Sequence, residues 1–264
     1  MTLGFGVTST IDLALVQRLG PRIEEAGFSI FWSNDIPGGS SFDVLAACAG
    51  VTLAIKLANG IVPIDRVPAA EWRDRLDRAG LLGERMYAGI GSGQLSKPLD
   101  VMGDAVSVIR EDTGRPVIVG ALRANMRRFA AEQADGVLLN WLTPEFAAIR
   151  QQEMAQIYTE AGRTDPFLSA AFVRVAIGEP AIDRLRHEAA KYESFPSYAK
   201  HFAEMGVSAF DTAIAANTVE EAADGLTPFL QQFDHPVLRC VVAEEDDDAY
   251  LQLIEAGKLA VEQG

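Results

Sequence analysis

Apolar and polar positions along this chain follow two alternating rhythms. Short β-branched runs such as Val117-Ile118-Val119 have the length and composition of buried strands, while the segments between them carry apolar residues every three or four positions, the spacing of one helix face. Residues 116–145, PVIVGALRANMRRFAAEQADGVLLNWLTPE, hold both rhythms side by side. A strand ends at Gly120. A helix follows from Ala124 to Ala134, with Met126, Phe129, Ala130 and Ala134 on one face, and Ala134-Asp135-Gly136 breaks it before the apolar run Val137-Leu138-Leu139. Strand, turn, helix and strand make a βαβ unit, whose two strands are parallel.

The same reading predicts eight strands over the whole chain: 3–7, 29–33, 52–57, 86–90, 117–119, 137–139, 168–176 and 237–242. Predicted helices alternate with them, at 11–26, 42–50, 68–79, 99–112, 124–134, 144–161, 181–192, 197–205, 219–233 and 247–262. Thr10 is the expected cap of the first helix, and Pro21 is expected to kink or split it. The 99–112 helix is expected to turn Val101, Ala105, Val108 and Ile109 inward. No proline- or glycine-rich linker divides the chain. Eight alternating units favour a closed (β/α)8 TIM barrel, one domain over residues 1–264, above a doubly wound sheet.

Composition narrows the partners. The 264 residues carry a formal net charge of −14, which opposes nucleic acid as a main partner because phosphate neutralisation needs a basic surface. The acidic run Glu244–Asp248 reads as a solvated loop and helix start. Cys48 and Cys240 lie in apolar contexts and read as buried thiols of a reducing compartment rather than a disulfide framework. No apolar run approaches the ~20 residues of a spanning helix, and the first residues lack a signal-peptide pattern, so a cytoplasmic protein with no membrane partner is expected.

In such a barrel, sites form at the carboxyl ends of the strands. The residues just past the predicted strands are Asn34-Asp35, Asn59-Gly60, Gly91-Ser92-Gly93, Gly120-Ala121-Leu122 and Asn140-Trp141. Glycine lets a flat ligand approach the backbone, and asparagine donates and accepts toward a ring edge. This pattern suits a planar heterocycle better than a metal ion. The turn after the fifth strand leads into a helix carrying Arg123, Arg127 and Arg128, where free N–H groups, the helix dipole and three guanidiniums favour an anion. His187, His201 and His235 are scattered, expected on helices or in a turn as surface or partly packed residues, and none stands at metal-ligand spacing. GxSxG is absent, and Gly91-Ser92-Gly93 lacks the third glycine of a dinucleotide fingerprint.

Taken in order, EEAGFSIFWSND, FDVLAACAGVTLAIKLANGIVPIDRVPAAE, MYAGIGSG, the βαβ segment 116–145 and FVRVAIG…SYAKHFAEMGV resemble the bacterial-luciferase-like superfamily, which includes flavin monooxygenases and F420-dependent reductases and dehydrogenases. The ALxxxMxxxAxExADGxLxNxxTP form is most similar to the F420-using branch. The resemblance implies a TIM-type barrel, usually dimeric, with a flavin ring over the strand ends. It places Asn34 and Asp35 beside the ring, with Asp35 in the catalytic role. Asn59-Gly60-Ile61 would form a bulge with a non-proline cis peptide, Gly60-Ile61, behind the ring. Backbone N–H groups of Gly120, Ala121 and Leu122 would face the cofactor phosphate, and Gly91, Ser92 and Asn140 would line the pocket. Many relatives carry a histidine after the aspartate matching Asp35; here the residue is Ile36.

Three readings follow from the resemblance. One is hydride transfer between F420 and a small organic substrate, with the arginines meeting the phosphate and acidic tail. Another is an FMN-dependent monooxygenase using molecular oxygen in a pocket walled by Trp32, Trp141 and Phe42. A third, motivated by Ile36, is a non-catalytic flavin-binding barrel. A homodimer is expected, with Val101 and Val106 among the apolar residues of the outer helices.

Overall fold

The computed structural model describes residues 2–264. Eight strands close on each other in parallel: β1 (Gly4–Thr8), β2 (Ile30–Asn34), β3 (Lys56–Asn59), β5 (Met86–Gly91), β6 (Val117–Gly120), β7 (Gly136–Asn140), β8 (Leu168–Ile177) and β10 (His235–Cys240). Closure comes from β10, which pairs with β8 on one side (Val237 beside Phe172) and with β1 on the other (Gly4 beside Val237). Two short strands lie outside the cylinder: β4 (Val62–Pro63) on β5, and β9 (Ile214–Ala216) on the far end of β8. The helices are α1 (Leu13–Glu25), α2 (Ser41–Ala49), α3 (Trp72–Arg78), α4 (Pro98–Thr113), α5 (Ala124–Gln133), α6 (Pro144–Glu160), α7 (Glu179–Glu193), α8 (Pro196–Met205), α9 (Val219–Gln232) and α10 (Asp247–Gln263). The fold is the (β/α)8 barrel that the alternation predicts.

Period-two alternation along the strands divides the apolar residues into two stores. One face fills the lumen with Ile30, Trp32, Ala58, Ile118, Leu138, Ala170, Phe172 and Val237. The other packs against the ring of helices through a larger set that includes Phe5, Phe31, Leu57, Val117 and Val119. Helices α7 and α8 form an excursion between β8 and β9. α7 seats Ala181, Ile182 and Leu185 on Ala176 and Val241, so it lies across the carboxyl ends of β8 and β10.

Several local expectations are corrected. Asp12, not Thr10, caps α1 by accepting from the Leu15 N–H at 3.0 Å. α1 runs through Pro21 as one helix. The residue before it, Gly20, has no Cβ to clash with the ring, and the carbonyl left without a donor belongs to exposed Gln17. The third strand begins at Lys56 rather than Thr52, because Glu24 captures the preceding backbone: its carboxylate accepts from the N–H groups of Leu53, Ala54 and Ile55 at 2.7–3.1 Å. Residues 69–71 open as a 3-10 turn before α3. α4 presents Met102, Ala105, Val106 and Ile109 inward, one position off the expected stripe, leaving Val101 exposed. Val106 is therefore core and not outer surface. His201 and His235 are buried, His235 within β10 itself, while Cys48 and Cys240 are buried as expected.

Desolvation alone would raise the Glu24 pKa, and the three N–H donors outweigh it, so the net shift is downward. The stabilisation is then fully present above the ordinary glutamate value near ~4.3 and is lost as pH falls through the lower folded value. Glu24→Ala is expected to cost about 2 kcal/mol in urea unfolding at pH 7. The difference from wild type should shrink in the same experiment at pH 3.

Candidate functional site

A cavity of about 650 Å³ opens at the carboxyl ends of the strands. Phe172 and Leu138 rise into it from the lumen. Around the rim stand Asn34 and Asp35 after β2, Gly60 and Ile61 after β3, Ser92 after β5, and Gly120, Ala121 and Leu122 after β6. Asn140 closes the circle from β7, and Tyr192, Ser197 and Tyr198 form a roof from α7, α8 and the turn between them. The Gly60–Ile61 peptide is cis, at the bond where the resemblance puts one. A Cβ on Gly60 would come 2.6 Å from Phe172 Cζ, so glycine is what leaves this wall flat.

Nine of the eleven residues singled out in the sequence line this cavity, and two do not. Asn59 is fully buried behind the rim and donates its side-chain amide to Ser41 Oγ at 2.7 Å. Gly91 lies beneath Ile61, whose side chain also covers Gly120. The proposed aromatic walls are corrected too. Trp32 belongs to the lumen packing, Phe42 packs edge-on to Trp72 in the outer core, and Trp141 is buried against Tyr192 and Phe202.

The anion seat after β6 is narrower than the sequence implies. Ala121 spends its N–H on the Leu138 carbonyl at 3.1 Å. Arg127 is buried, paired with Glu153 and donating to the Leu122 carbonyl, and Arg128 points outward to Glu132. Of the three arginines, Arg123 alone lines the cavity. No side chain caps α5, so its first-turn N–H groups are open where Arg123, Asn125 and Met126 meet the cavity. Uncapped N–H groups beside one free guanidinium suit a phosphate.

Asp35 is not a free carboxylate. Its side chain is 5% exposed, ion-pairs with Arg66 and accepts the Ser41 N–H at 3.1 Å. Ile36, next to it, is tied back to Ser9 through its backbone N–H (2.9 Å) and does not line the cavity.

Sequence reading passed over the polar core behind the roof. Arg174 on β8 is fully buried. Its Nε donates to Glu188 Oε1 at 2.8 Å, its Nη1 donates to Asn140 Oδ1 at 2.7 Å, and its guanidinium carbon stands 3.5 Å from the Trp141 ring centroid. Arg239 on β10 reaches the same Glu188 oxygen at 3.4 Å. The signal was present: an arginine inside each of the apolar runs AFVRVAI and VLRCVV, where a charge persists only with a partner. Tyr192 and Tyr198 gave no such signal, since nothing in a helical stretch says which side faces a barrel mouth.

Comparison with known proteins places the chain. The family model described as luciferase-like monooxygenase matches residues 96–260, more than half of its length. The chain belongs to the luciferase-like monooxygenase family. It is similar to the 5,10-methylenetetrahydromethanopterin reductase of Archaeoglobus fulgidus, 25% identical over 202 residues that span 63% of this chain and 60% of that protein. In three dimensions it resembles the coenzyme F420-dependent tetrahydromethanopterin reductase of Methanopyrus kandleri (TM-score 0.75, 16% identity, 100% and 99% of the two chains). It also resembles the oxygenating constituent of 3,6-diketocamphane monooxygenase from Pseudomonas putida, solved with FMN (TM-score 0.72, 11% identity, 99% of both chains). These two likenesses establish a shared fold. Among the described residues no group of three His, Cys, Asp or Glu side chains is arranged to hold a metal, and no helix is long and apolar enough to cross a membrane.

Proposed function

We propose that the cavity holds a flavin-type cofactor, F420 in preference to FMN, and that the chain is an oxidoreductase acting on a small organic molecule. The observation that carries this reading is the pairing, in one 650 Å³ cavity, of a flat glycine wall at Gly60 with an uncapped helix start at α5. The volume lies in the range of cofactor sites, and the lining is mostly apolar with a few polar groups, as such sites require. When bound, the cofactor supplies hydride transfer in the F420 case or oxygen activation in the FMN case. The chain's residues bind and orient it. Leu122, Arg123 and the first turn of α5 would take the phosphate, Gly60 and Ile61 would back the ring, and Asn34 would meet its edge. Asp35 is anchored to Arg66 and Ser41, so its part is to set the field at the ring edge and to hold the rim.

F420 is preferred on the sequence likeness to the archaeal reductase and on the ALxxxMxxxAxExADGxLxNxxTP form of residues 121–144. Titration with F420 and with FMN separately tests the preference; tight FMN binding without F420 binding overturns it. The competing oxygenase reading draws on the likeness to the FMN-bound structure and predicts substrate-dependent oxygen uptake with reduced FMN. A barrel that binds a flavin without turning anything over would show cofactor binding and no reaction with any acceptor. All 264 residues are read as one domain, acting as a cytoplasmic homodimer; a monomer in light scattering at micromolar concentration contradicts the dimer.

Arg123→Ala is expected to weaken cofactor binding by about 1 kcal/mol, roughly fivefold, with the loss shrinking at high salt. Arg128→Ala should leave affinity unchanged, because Arg128 faces away from the cavity. Fluorescence titration of both variants at two ionic strengths separates them.

A further inference from the structure

Ile36 leaves the ring edge without an ionisable neighbour, and the Asp35 carboxylate beside it is occupied by Arg66 and Ser41. A polar group of a different kind stands in the roof. Asn140 accepts from Arg174 Nη1 through its side-chain oxygen, and since a guanidinium has donors and no acceptor, the orientation of this carboxamide is fixed by chemistry. Its NH2 is therefore turned away from Arg174, and the group it meets there is the Tyr198 phenol, whose charged form it eases. An oxygen that accepts from an amide must direct its own proton elsewhere. Among the described residues no protein acceptor takes that proton, and Tyr198 lines the cavity.

We propose that Tyr198 is the cavity's hydrogen-bond donor to substrate, aimed at a carbonyl oxygen or imine nitrogen, and that Asn140 and Arg174 are the residues that position it. The inference rests on the reading of this cavity as a ligand site. Glu188 completes the relay by holding Arg174 Nε, and Arg174 is further fixed by the Trp141 ring. Burial, together with the neighbouring Tyr192, raises the Tyr198 pKa to about 12, so the phenol keeps its proton at neutral pH and acts as a donor and not as a base. A neutral donor facing an apolar floor selects an uncharged acceptor group on the substrate.

The test uses a push–pull aldehyde, 4-(dimethylamino)cinnamaldehyde, whose visible band moves to the red when its carbonyl accepts a hydrogen bond. It is titrated into cofactor-free wild type, Tyr198→Phe and Asn140→Asp. Phenylalanine preserves the ring that packs on Tyr192 and Phe202. The Asn140→Asp carboxylate still accepts from Arg174 but now also accepts from the phenol, drawing the proton away from the cavity with Tyr198 intact. The expected result is saturable binding by wild type with a band to the red of that in both variants, and affinity about fivefold weaker in each variant. Coincident bound spectra in the three proteins, or no saturable binding by wild type, overturn the proposal. If Tyr198→Phe fails to fold, the Asn140→Asp spectrum decides alone. Parallel titration of wild type with F420 and FMN keeps the two readings apart: failure of both cofactors to bind refutes the cofactor assignment and leaves the aldehyde spectra to judge Tyr198.

Discussion

Glu188→Gln is expected to destabilise the protein by about 3–5 kcal/mol, the largest effect of any single change proposed for this chain. Glu188 is the carboxylate that both Arg174 and Arg239 share, at 2.8 and 3.4 Å. Glutamine keeps the shape and one acceptor but removes the charge, leaving two buried guanidiniums facing each other. Desolvation pushes the Glu188 pKa up, and Arg239 and Arg174 more than reverse it, so its folded value lies below the ordinary one. A depressed carboxylate contributes stability above its unfolded pKa of ~4.3 and loses it as pH falls through the folded value. Urea unfolding at pH 7 and pH 3 checks both parts: a wide gap between wild type and variant at pH 7, and a smaller one at pH 3. A gap under about 1 kcal/mol at pH 7 would show that water reaches and screens the pair.

The second large effect concerns binding. Gly120→Val should leave the barrel folded and reduce cofactor affinity at least a hundredfold, about 2.7 kcal/mol. A Cβ at residue 120 runs into the Ile61 side chain, and a β-branched side chain there has no direction to go but toward the cavity. Ile61 must then shift, and the displaced wall and the new methyls both occupy the space assigned to the ring. Far-ultraviolet circular dichroism and melting establish that the fold survives. Titration with F420 and FMN then reads the loss, and unaltered affinity would remove residues 60, 61 and 120 from the cofactor wall.

The barrel was legible in the sequence because its signal is repeated eight times: a short β-branched run, a turn and an amphipathic helix, each unit reinforcing the others. Local boundaries were less legible where one side chain overrode the local pattern. Glu24 lies some thirty residues from the backbone it captures, and no window around Thr52 contains it. The glycine and asparagine edge of the site was readable because those residue types follow the strands directly. The arginines after β6 show the limit. Three consecutive-looking charges read as one patch, but a helix sends 123, 127 and 128 in different directions, and Glu153 claims Arg127 from another helix. The roof was invisible for the same reason, since its contribution depends on how α7 and α8 cross the barrel mouth.

The excursion that carries the roof departs from β8 at Gly178, whose φ of 84° turns the chain sharply, and rejoins the barrel at β9. Every proposed contact to the cofactor comes from segments before it, between β2 and β7. Substrate choice and redox machinery thus occupy separable lengths of the gene, and exchanging residues 179–213 between relatives would graft a new selectivity onto an unchanged engine.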